Sequence, residues 1–310
     1  MNLSNTLGNI LLMDKIALDN FAATAPYRYK IYEIPKRNSS EKRVIAHPAK
    51  ELKFIQRVLV RKILENLLPI HEAVYSYRTG IGIRDNAYQH LYSKYLLKMD
   101  FKSFFPSINP NLFFIQLEKN NIYLSEDDKK IISRLLFWKP KRHSSDLELS
   151  VGAPSSPLIS NFIMYSFDKR INDFCKDIDI KYTRYADDIT FSTNQKDILF
   201  LIPNKVCEIL NEEYKSSIIL NKRKTVFSSK KNNRHVTGVR LSNDNKLSIG
   251  RDKKRILSAK LYNFLLGNLD NVSKEKLKGE LAFSFYIEPS FKYKLIRKYG
   301  AEILHKLYKK

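Results

Sequence analysis

Cysteine is nearly missing from this chain, which has 310 residues and only Cys175 and Cys207. Two cysteines 32 positions apart form no CxxC pair, and six scattered histidines offer no zinc spacing. A disulfide scaffold and a structural zinc module are excluded. Both thiols are expected to be buried and free, which suits a reducing cytoplasm. Glycine and proline are also scarce, at 9 and 11 residues, which excludes a collagen-like or linker-rich chain. No apolar run approaches the roughly 18 residues of a membrane-spanning helix, so no membrane is expected. The first residues, MNLSNTLGNILLMDK, carry no basic stretch ahead of their short apolar run, so no secretory signal is expected. No internal repeat or low-complexity tract interrupts the chain. Acidic residues are the last deficit: 32 Asp and Glu against 55 Lys and Arg leave a net charge of +23.

What remains is a core-forming, strongly basic chain. Hydrophobic residues make up 43% and aromatics 12%, so the charge does not imply disorder. The length allows about two domains or one large lobed one. The positive charge is clustered: residues 27–62 are net +8, residues 222–260 net +11, and residues 251–310 net +9. Such clustering suits a polyanion, because each neutralised phosphate releases a condensed counterion. Tyr27, Tyr29 and Tyr32 lie among the first cluster, where flat rings beside cations suit unpaired bases. No strongly amphipathic basic helix favours an anionic membrane surface instead.

Periodicity predicts a helix over 51–68, with Leu52, Ile55, Leu59, Ile63 and Leu67 on one face. A loop containing Gly80 and Gly82 precedes a helix starting near Asp85. Residues 95–101 read as a buried strand ending beside Asp100. Residues 124–137 read as a helix, 139–150 as a polar loop, and 155–175 as one helix with Ser156 as N-cap and Pro157 in the first position. Residues 179–192 predict two short strands turning at Ala186-Asp187-Asp188, and 235–249 a hairpin turning at 243–245. From 251 onward the pattern is helical and basic.

Adjacent carboxylates in an apolar hairpin of so basic a chain need an explanation. Asp187 and Asp188 sit between YTRYA and ITFS. Like charges placed together are costly unless a cation neutralises them. Oxygen ligands of this kind suit Mg²⁺, which takes one or two carboxylates plus substrate phosphates. Asp100, at the end of another strand, could complete the site. An Asp-Asp pair alone is weak evidence, being more often a solvated turn.

The surroundings add information. Tyr185-Ala186-Asp187-Asp188 resembles the YxDD box of reverse transcriptases, and Asp100 to Phe105 resembles their D-x3-F-F motif. Gly152 to Pro157 resembles the G-x-P-x-S-P element, and Asn221 to Thr225 the N-x-x-K-T element. The four stand in the family's order, over roughly residues 27–260. Asn86-Ala87-Tyr88-Gln89-His90 resembles the NAxxH box, and Val236-Thr237-Gly238 the VTG box, of bacterial retron reverse transcriptases.

That resemblance implies an α+β right-hand polymerase with an antiparallel palm sheet carrying the acidic site. Fingers would span 1–95 and 114–150, palm 96–113 and 151–240, and a basic helical thumb 241–310. It implies a polymerase using two Mg²⁺ ions, with Mn²⁺ as a substitute, held by Asp100, Asp187, Asp188 and the Phe101 carbonyl. Lys224 would protonate or shield the pyrophosphate, or else be one more basic surface residue. The deoxynucleoside triphosphate would meet Lys42, Arg43, Val151 and Gly152, with Phe105 as the gate against a 2′-hydroxyl. Val151 departs from the family's usual Gln, and Gly82 stands where Ser is common. Asn86 and His90 would either touch RNA or order the segment joining fingers to palm. Val236, Thr237, Gly238, Arg251, Lys253, Lys254 and Arg255 are candidates for gripping structured RNA. The implied partners are a noncoding RNA of msr–msd type, its branched DNA product primed from a guanosine 2′-OH, and a retron effector protein in anti-phage defence. Other bacterial reverse transcriptases, and a non-catalytic RNA-binding scaffold of the same fold, are the competing readings.

Overall fold

Two N-terminal helices, α1 (Leu3–Leu11) and α2 (Lys15–Thr24), lead into a hairpin of β1 (Tyr29–Pro35) and β2 (Lys42–Pro48). The structure, a computed structural model, describes residues 3–35, 41–141 and 146–309. Part of the polar loop expected at 139–150 therefore lies outside the described residues. The predicted 51–68 helix is a continuous run of α3 (Lys50–Leu59), a π turn at Val60–Leu64 and the short α4 (Glu65–Leu67). Leu52, Ile55, Leu59 and Ile63 form its buried stripe, as the spacing requires. After a loop, α5 (Ile83–Gln89) precedes β3 (Tyr95–Asp100).

Helix starts follow local capping chemistry. In α6 (Pro110–Lys119) the Asn109 side chain accepts from the Leu112 N–H. In α7 (Glu126–Leu136) Ser125 accepts from the Asp128 N–H, and three acids occupy the first turn. Asp128 also accepts from the Leu3 and Ser4 N–H groups at 3.2 and 2.7 Å, tying α1 to α7.

The helix expected at 155–175 is two: α8 (Ser156–Ile163) and α9 (Tyr165–Asp177), broken at Met164, where ψ is 0°. Ser156 is not the N-cap. Ser155 holds that position without a capping bond, and Ser156 is the first helical residue. The next strands are β4 (Lys181–Tyr185) and β5 (Asp188–Thr193), followed by α10 (Ile202–Tyr214) and β6 (Val226–Ser229). Together with β3 they make an antiparallel sheet of order β4-β5-β3-β6. The two inner strands are buried almost throughout, β3 on an apolar run and β5 on alternating apolar and hydroxyl residues.

The hairpin expected at 235–249 is a three-stranded sheet of β7 (Arg234–Val236), β8 (Val239–Leu241) and β9 (Leu247–Ser248). Its missed first turn is Thr237-Gly238, with φ of 45° and 83°. Two left-handed residues are what a two-residue turn between twisted strands requires. The C-terminal block is α11 (Arg251–Leu265), α12 (Asn271–Ile287), α13 (Pro289–Tyr299) and α14 (Glu302–Tyr308).

Among the described residues there are two hydrophobic cores. The larger runs from Leu3 to Ile218 and unites the N-terminal helices with the four-stranded sheet. The smaller joins the 234–249 sheet to the C-terminal helices and takes in Ala87, Leu91 and Leu96. Segment α5 to β3 therefore connects the two. Cys175 is buried, as expected, whereas Cys207 is exposed on α10, contrary to expectation. Among the described residues no helix is long and apolar enough to cross a membrane.

Candidate active site

The antiparallel register of β3 and β5 sets Asp100 opposite Asp188 as Cα partners. Asp187 occupies the tight turn from β4, next to Ala186. The Phe101 N–H donates to the Asp187 carbonyl at 3.1 Å, so the turn is stitched to the end of β3. Thus two strand ends bring three acids, 87 and 88 residues apart in sequence, to one sheet edge. Asp100 is buried, Asp187 half-buried and Asp188 exposed.

Reduced hydration pushes the Asp187 carboxyl up, and the nearby Asp100 charge adds to this. Asp188 is pushed up to about 6 by reduced hydration and by the charges of Asp187 and Asp100. Its side chain keeps water-accessible surface, so the crowding of negative charge is the firmer cause. Of the three carboxylates only Asp100 is buried.

A cation already answers this crowding. Lys224 Nζ lies 2.8 Å from Asp100 Oδ2. The Asn221 N–H donates to the Asp100 carbonyl at 2.7 Å, and the Lys224 N–H to the Asn221 carbonyl at 2.9 Å. The N-x-x-K-T spacing thus aims a lysine at the first acid. Among the described residues no group of three His, Cys, Asp or Glu side chains is drawn together tightly enough to hold a metal alone. The donor set nevertheless fits Mg²⁺, which needs only one or two carboxylates when substrate phosphates supply other oxygens. The lysine on Asp100 shows that this position accepts positive charge.

Asp100 and Asp187 open on a cleft of about 2320 Å³. Asp100, Phe101, Asp187 and Lys224 line it, and so do Lys42, Arg43, Phe105, Val151 and Gly152. Asp188 is not on its wall. Arg43 is exposed on β2. Lys42 pairs with Glu33 at 2.8 Å, an exposed contact of small worth. Phe105 is half-buried against Phe104, with ring centroids 5.6 Å apart, and Phe104 stacks on Phe101 at 5.4 Å. The Ala46 N–H donates to the Val151 carbonyl at 3.1 Å, so this loop adds to β2. Gly152 has φ +131°, and a Cβ there would meet the Ala46 carbonyl at 3.1 Å.

The RNA candidates divide. Asn86, His90 and Val236 are buried, which corrects the expectation of RNA contact by their side chains and leaves Asn86 and His90 with the other reading, ordering the segment that joins fingers to palm. His90 bridges the hydroxyls of Ser192 and Thr183, each at 2.7 Å. Asn86 Nδ2 donates to Thr237 Oγ1 at 3.4 Å, so the NAxxH and VTG segments meet each other. Thr237 is half-buried and Gly238 exposed at the turn. Arg251 and Arg255 are exposed on α11. Lys254 instead pairs with Glu288 at 2.5 Å, and Lys253 lies over the Phe283 ring at 4.5 Å. None of these lines the cleft.

Among the cleft residues the sequence did not point to, Tyr77 stands nearest the chemistry. Tyr77 is 49% exposed, sits at φ 57° and lines the same wall. Reduced hydration and the Asp187 charge push its phenol up, which places it near the acids. The sequence signal was an aromatic inside a glycine-containing loop.

Comparison with known proteins agrees with this geometry. The family described as reverse transcriptase (RNA-dependent DNA polymerase) matches residues 34–241, more than half of the chain. The chain is 45% identical over 282 residues to the retron Ec83 reverse transcriptase of Escherichia coli, covering 91% of this chain and 90% of that one. It is 32% identical over 290 residues to the retron Ec73 enzyme of the same organism, covering 90% and 89%. It is 30% identical over 291 residues to the retron Ec86 enzyme, also from Escherichia coli, covering 91% and 86%.

Proposed function

Since the chain belongs to the retron reverse transcriptases and is an RNA-directed DNA polymerase, we propose that it copies part of its own structured RNA at the cleft around Asp100 and Asp187. The observation that carries this reading is the pairing of Asp100 with Asp188 across β3 and β5, with Asp187 opening on the cleft that Arg43 and Phe105 also line. Asp100, Asp187, Asp188 and the Phe101 carbonyl would hold two Mg²⁺ ions, or Mn²⁺ in their place. Bound there, such ions lower the pKa of the primer hydroxyl and neutralise the developing phosphate charge.

The chain's own groups do the rest. Arg43 holds triphosphate oxygens with a guanidinium fork, with Lys42 as a second cation. Gly152 lets the backbone of the 151–152 loop lie close to β2, and Val151 presents an apolar wall to the sugar. Phe105 excludes a 2′-hydroxyl by contact. Lys224, a partly exposed cation 2.8 Å from Asp100 Oδ2, would shield or protonate the pyrophosphate. The fingers would comprise 1–95 and 114–150, the palm 96–113 and 151–240, and the thumb 241–310. The second core argues against the boundary at 240, because it joins the whole 234–249 sheet to the C-terminal helices and favours a thumb-side unit beginning near 234.

The substrates in this reading are deoxynucleoside triphosphates and an msr–msd type RNA, primed from a guanosine 2′-OH. The product is branched single-stranded DNA joined to RNA, made in the cytoplasm and used in anti-phage defence beside an effector protein. Thr237, Gly238, Arg251 and Arg255 are the exposed candidates for RNA contact. The test is to express the chain with its native flanking DNA and run the co-purifying nucleic acid on a denaturing gel. DNA whose mobility shifts after both RNase and debranching treatment supports the whole reading. Unbranched DNA would discard the 2′-OH priming, and Asp187→Asn protein extending a primer at the wild-type rate would discard the site.

A further inference from the structure

A buried ion pair lies behind the Ala186-Asp187 turn, and the proposed chemistry does not use it. Arg184 Nη2 is 2.6 Å from Asp168 Oδ2, and Arg184 Nε is 2.8 Å from Oδ1. Both side chains are fully buried. The Tyr182 hydroxyl also donates to Asp168, at 2.7 Å. A pair like this is a poor way to gain stability, because removing two charges from water costs about as much as their attraction returns. Its presence asks for a positional explanation.

The free arm of the guanidinium supplies one. Arg184 Nη1 donates to the Ala186 carbonyl at 3.1 Å and to Asn161 Oδ1 at 3.2 Å. Asn161 Nδ2 donates to the Ser76 carbonyl at 3.0 Å. Ser76 Oγ in turn accepts from the Ala186 N–H at 2.8 Å. Both backbone polar groups of Ala186 are therefore held by fully buried side chains. Ala186 has φ 56°, a left-handed conformation that is unfavourable for a residue with a Cβ and persists only where its surroundings enforce it. The next residue is Asp187.

The same arginine fixes a neighbouring segment through its backbone. The Tyr75 N–H donates to the Arg184 carbonyl at 2.8 Å, and the Arg184 N–H to the Ala73 carbonyl at 2.9 Å. Residues 73–76 thus run beside β4 as a short parallel rail, and Tyr77 follows directly into the cleft.

We propose that Arg184, Asp168, Asn161 and Ser76 form a positioning relay that locks the Ala186 peptide and so aims the Asp187 carboxylate into the cleft. These are positioning residues, since none touches substrate. The proposal rests on the catalytic role assigned to Asp187.

Two variants of the full chain test it, with Asp187→Asn as control. Arg184→Lys keeps a positive charge opposite Asp168 and loses the arm on Ala186. Ser76→Ala removes only the acceptor of the Ala186 N–H. Primer extension on an RNA template is measured against Mg²⁺ concentration, together with thermal midpoint and primer–template affinity. The expected result is a kcat lower by about a hundredfold in Arg184→Lys and about tenfold in Ser76→Ala, the scale of a reacting group held slightly out of place. The Mg²⁺ needed for half-maximal rate rises in both, while primer–template affinity stays at the wild-type level. A merely structural role would reduce the folded fraction and leave kcat per folded molecule and the Mg²⁺ requirement unchanged. Folded variants with wild-type kcat and Mg²⁺ requirement overturn the relay. Should Arg184→Lys not fold, Ser76→Ala decides on the same readouts. An active Asp187→Asn control overturns the site assignment instead.

Discussion

The Lys224 ammonium sits 2.8 Å from Asp100 Oδ2, and the two ends of this pair are unlike: the lysine side chain is 58% exposed and the aspartate 6%. The buried carboxylate cannot follow the lysine into water, whereas the lysine can leave. Partial burial lowers the Lys224 pKa, but the contact with Asp100 together with the charges of Asp187 and Asp188 outweighs this and holds it above its ordinary value. The ammonium is therefore charged at neutral pH and occupies the electrostatic position that a metal would take.

A competition follows. Lys224→Met should lower the Mg²⁺ concentration for half-maximal primer extension by a few fold, the scale of a partly exposed ion pair. The same variant should slow incorporation at saturating Mg²⁺, because no ammonium remains for the leaving pyrophosphate. A Mg²⁺ titration of both proteins reads the two effects separately. An unchanged or higher Mg²⁺ requirement in the variant would show that lysine and metal do not compete.

Phe105 makes a second prediction possible. Its ring is held edge-on against Phe104, which is itself stacked on Phe101 at the root of the acidic site. A gate braced this way rejects by contact rather than by hydrogen bonding. Phe105→Val should therefore keep deoxynucleotide incorporation near wild type and raise ribonucleotide incorporation by about a hundredfold, the scale on which packing can discriminate one hydroxyl. Single-nucleotide extension with paired dNTP and rNTP substrates measures the ratio. A ratio unmoved by the substitution would sink the gate.

Much of this site was legible because its signals are local. Apolar and β-branched residues around Asp100 and Asp187-Asp188 make two short strands, and pairing them brings the acids together whatever surrounds them. The relay was not legible, because Ser76 and Asn161 are 85 residues apart and meet only in the fold. The choice between the two readings of Asn86 and His90 stayed open for a related reason. Polar residues on a helix suggest an outer face until hydroxyl partners on other strands are known. The break at Met164 and the turn at Thr237-Gly238 were missed because neither carries a proline or an Asn-Gly pair. The exposure of Cys207 likewise depends on which face of α10 packs against α9.

The loop at Val151-Gly152 carries opposing predictions. Gly152 lies so close to β2 that an added Cβ would meet the Ala46 carbonyl at 3.1 Å and Ile45 Cγ2 at 3.2 Å, at a φ of +131°. Gly152→Ala must shift β2, and Arg43 with it. The KM for deoxynucleotides should rise by about tenfold, with primer–template affinity unaffected. Val151→Gln, by contrast, adds a hydrogen-bonding side chain to the cleft wall without disturbing the carbonyl that binds Ala46. Its KM should fall by a few fold, the worth of one hydrogen bond. Steady-state KM values for the two variants should move in opposite directions, and a parallel shift would contradict the assigned geometry.

The last prediction concerns acid. Complete burial, reinforced by the Lys181 charge, lowers the pKa of His90 from 6.5 to about 3. The folded protein thus keeps His90 neutral between pH 6.5 and 3, where the unfolded chain would protonate it. The unfolded state binds the extra proton, so stability rises with pH across this window. The contribution is fully present above 6.5 and is lost as pH falls toward 3. At about 1.4 kcal/mol per pH unit, lowering the pH from 7 to 5 should cost roughly 2 kcal/mol through this residue. His90→Gln offers Ser192 and Thr183 an amide that does not titrate. Denaturant unfolding of both proteins at pH 7 and pH 5 should show a smaller acid loss in the variant, by about that amount. Equal losses in the two proteins would mean that His90 becomes protonated inside the fold, against the fully buried, doubly bonded position seen for it.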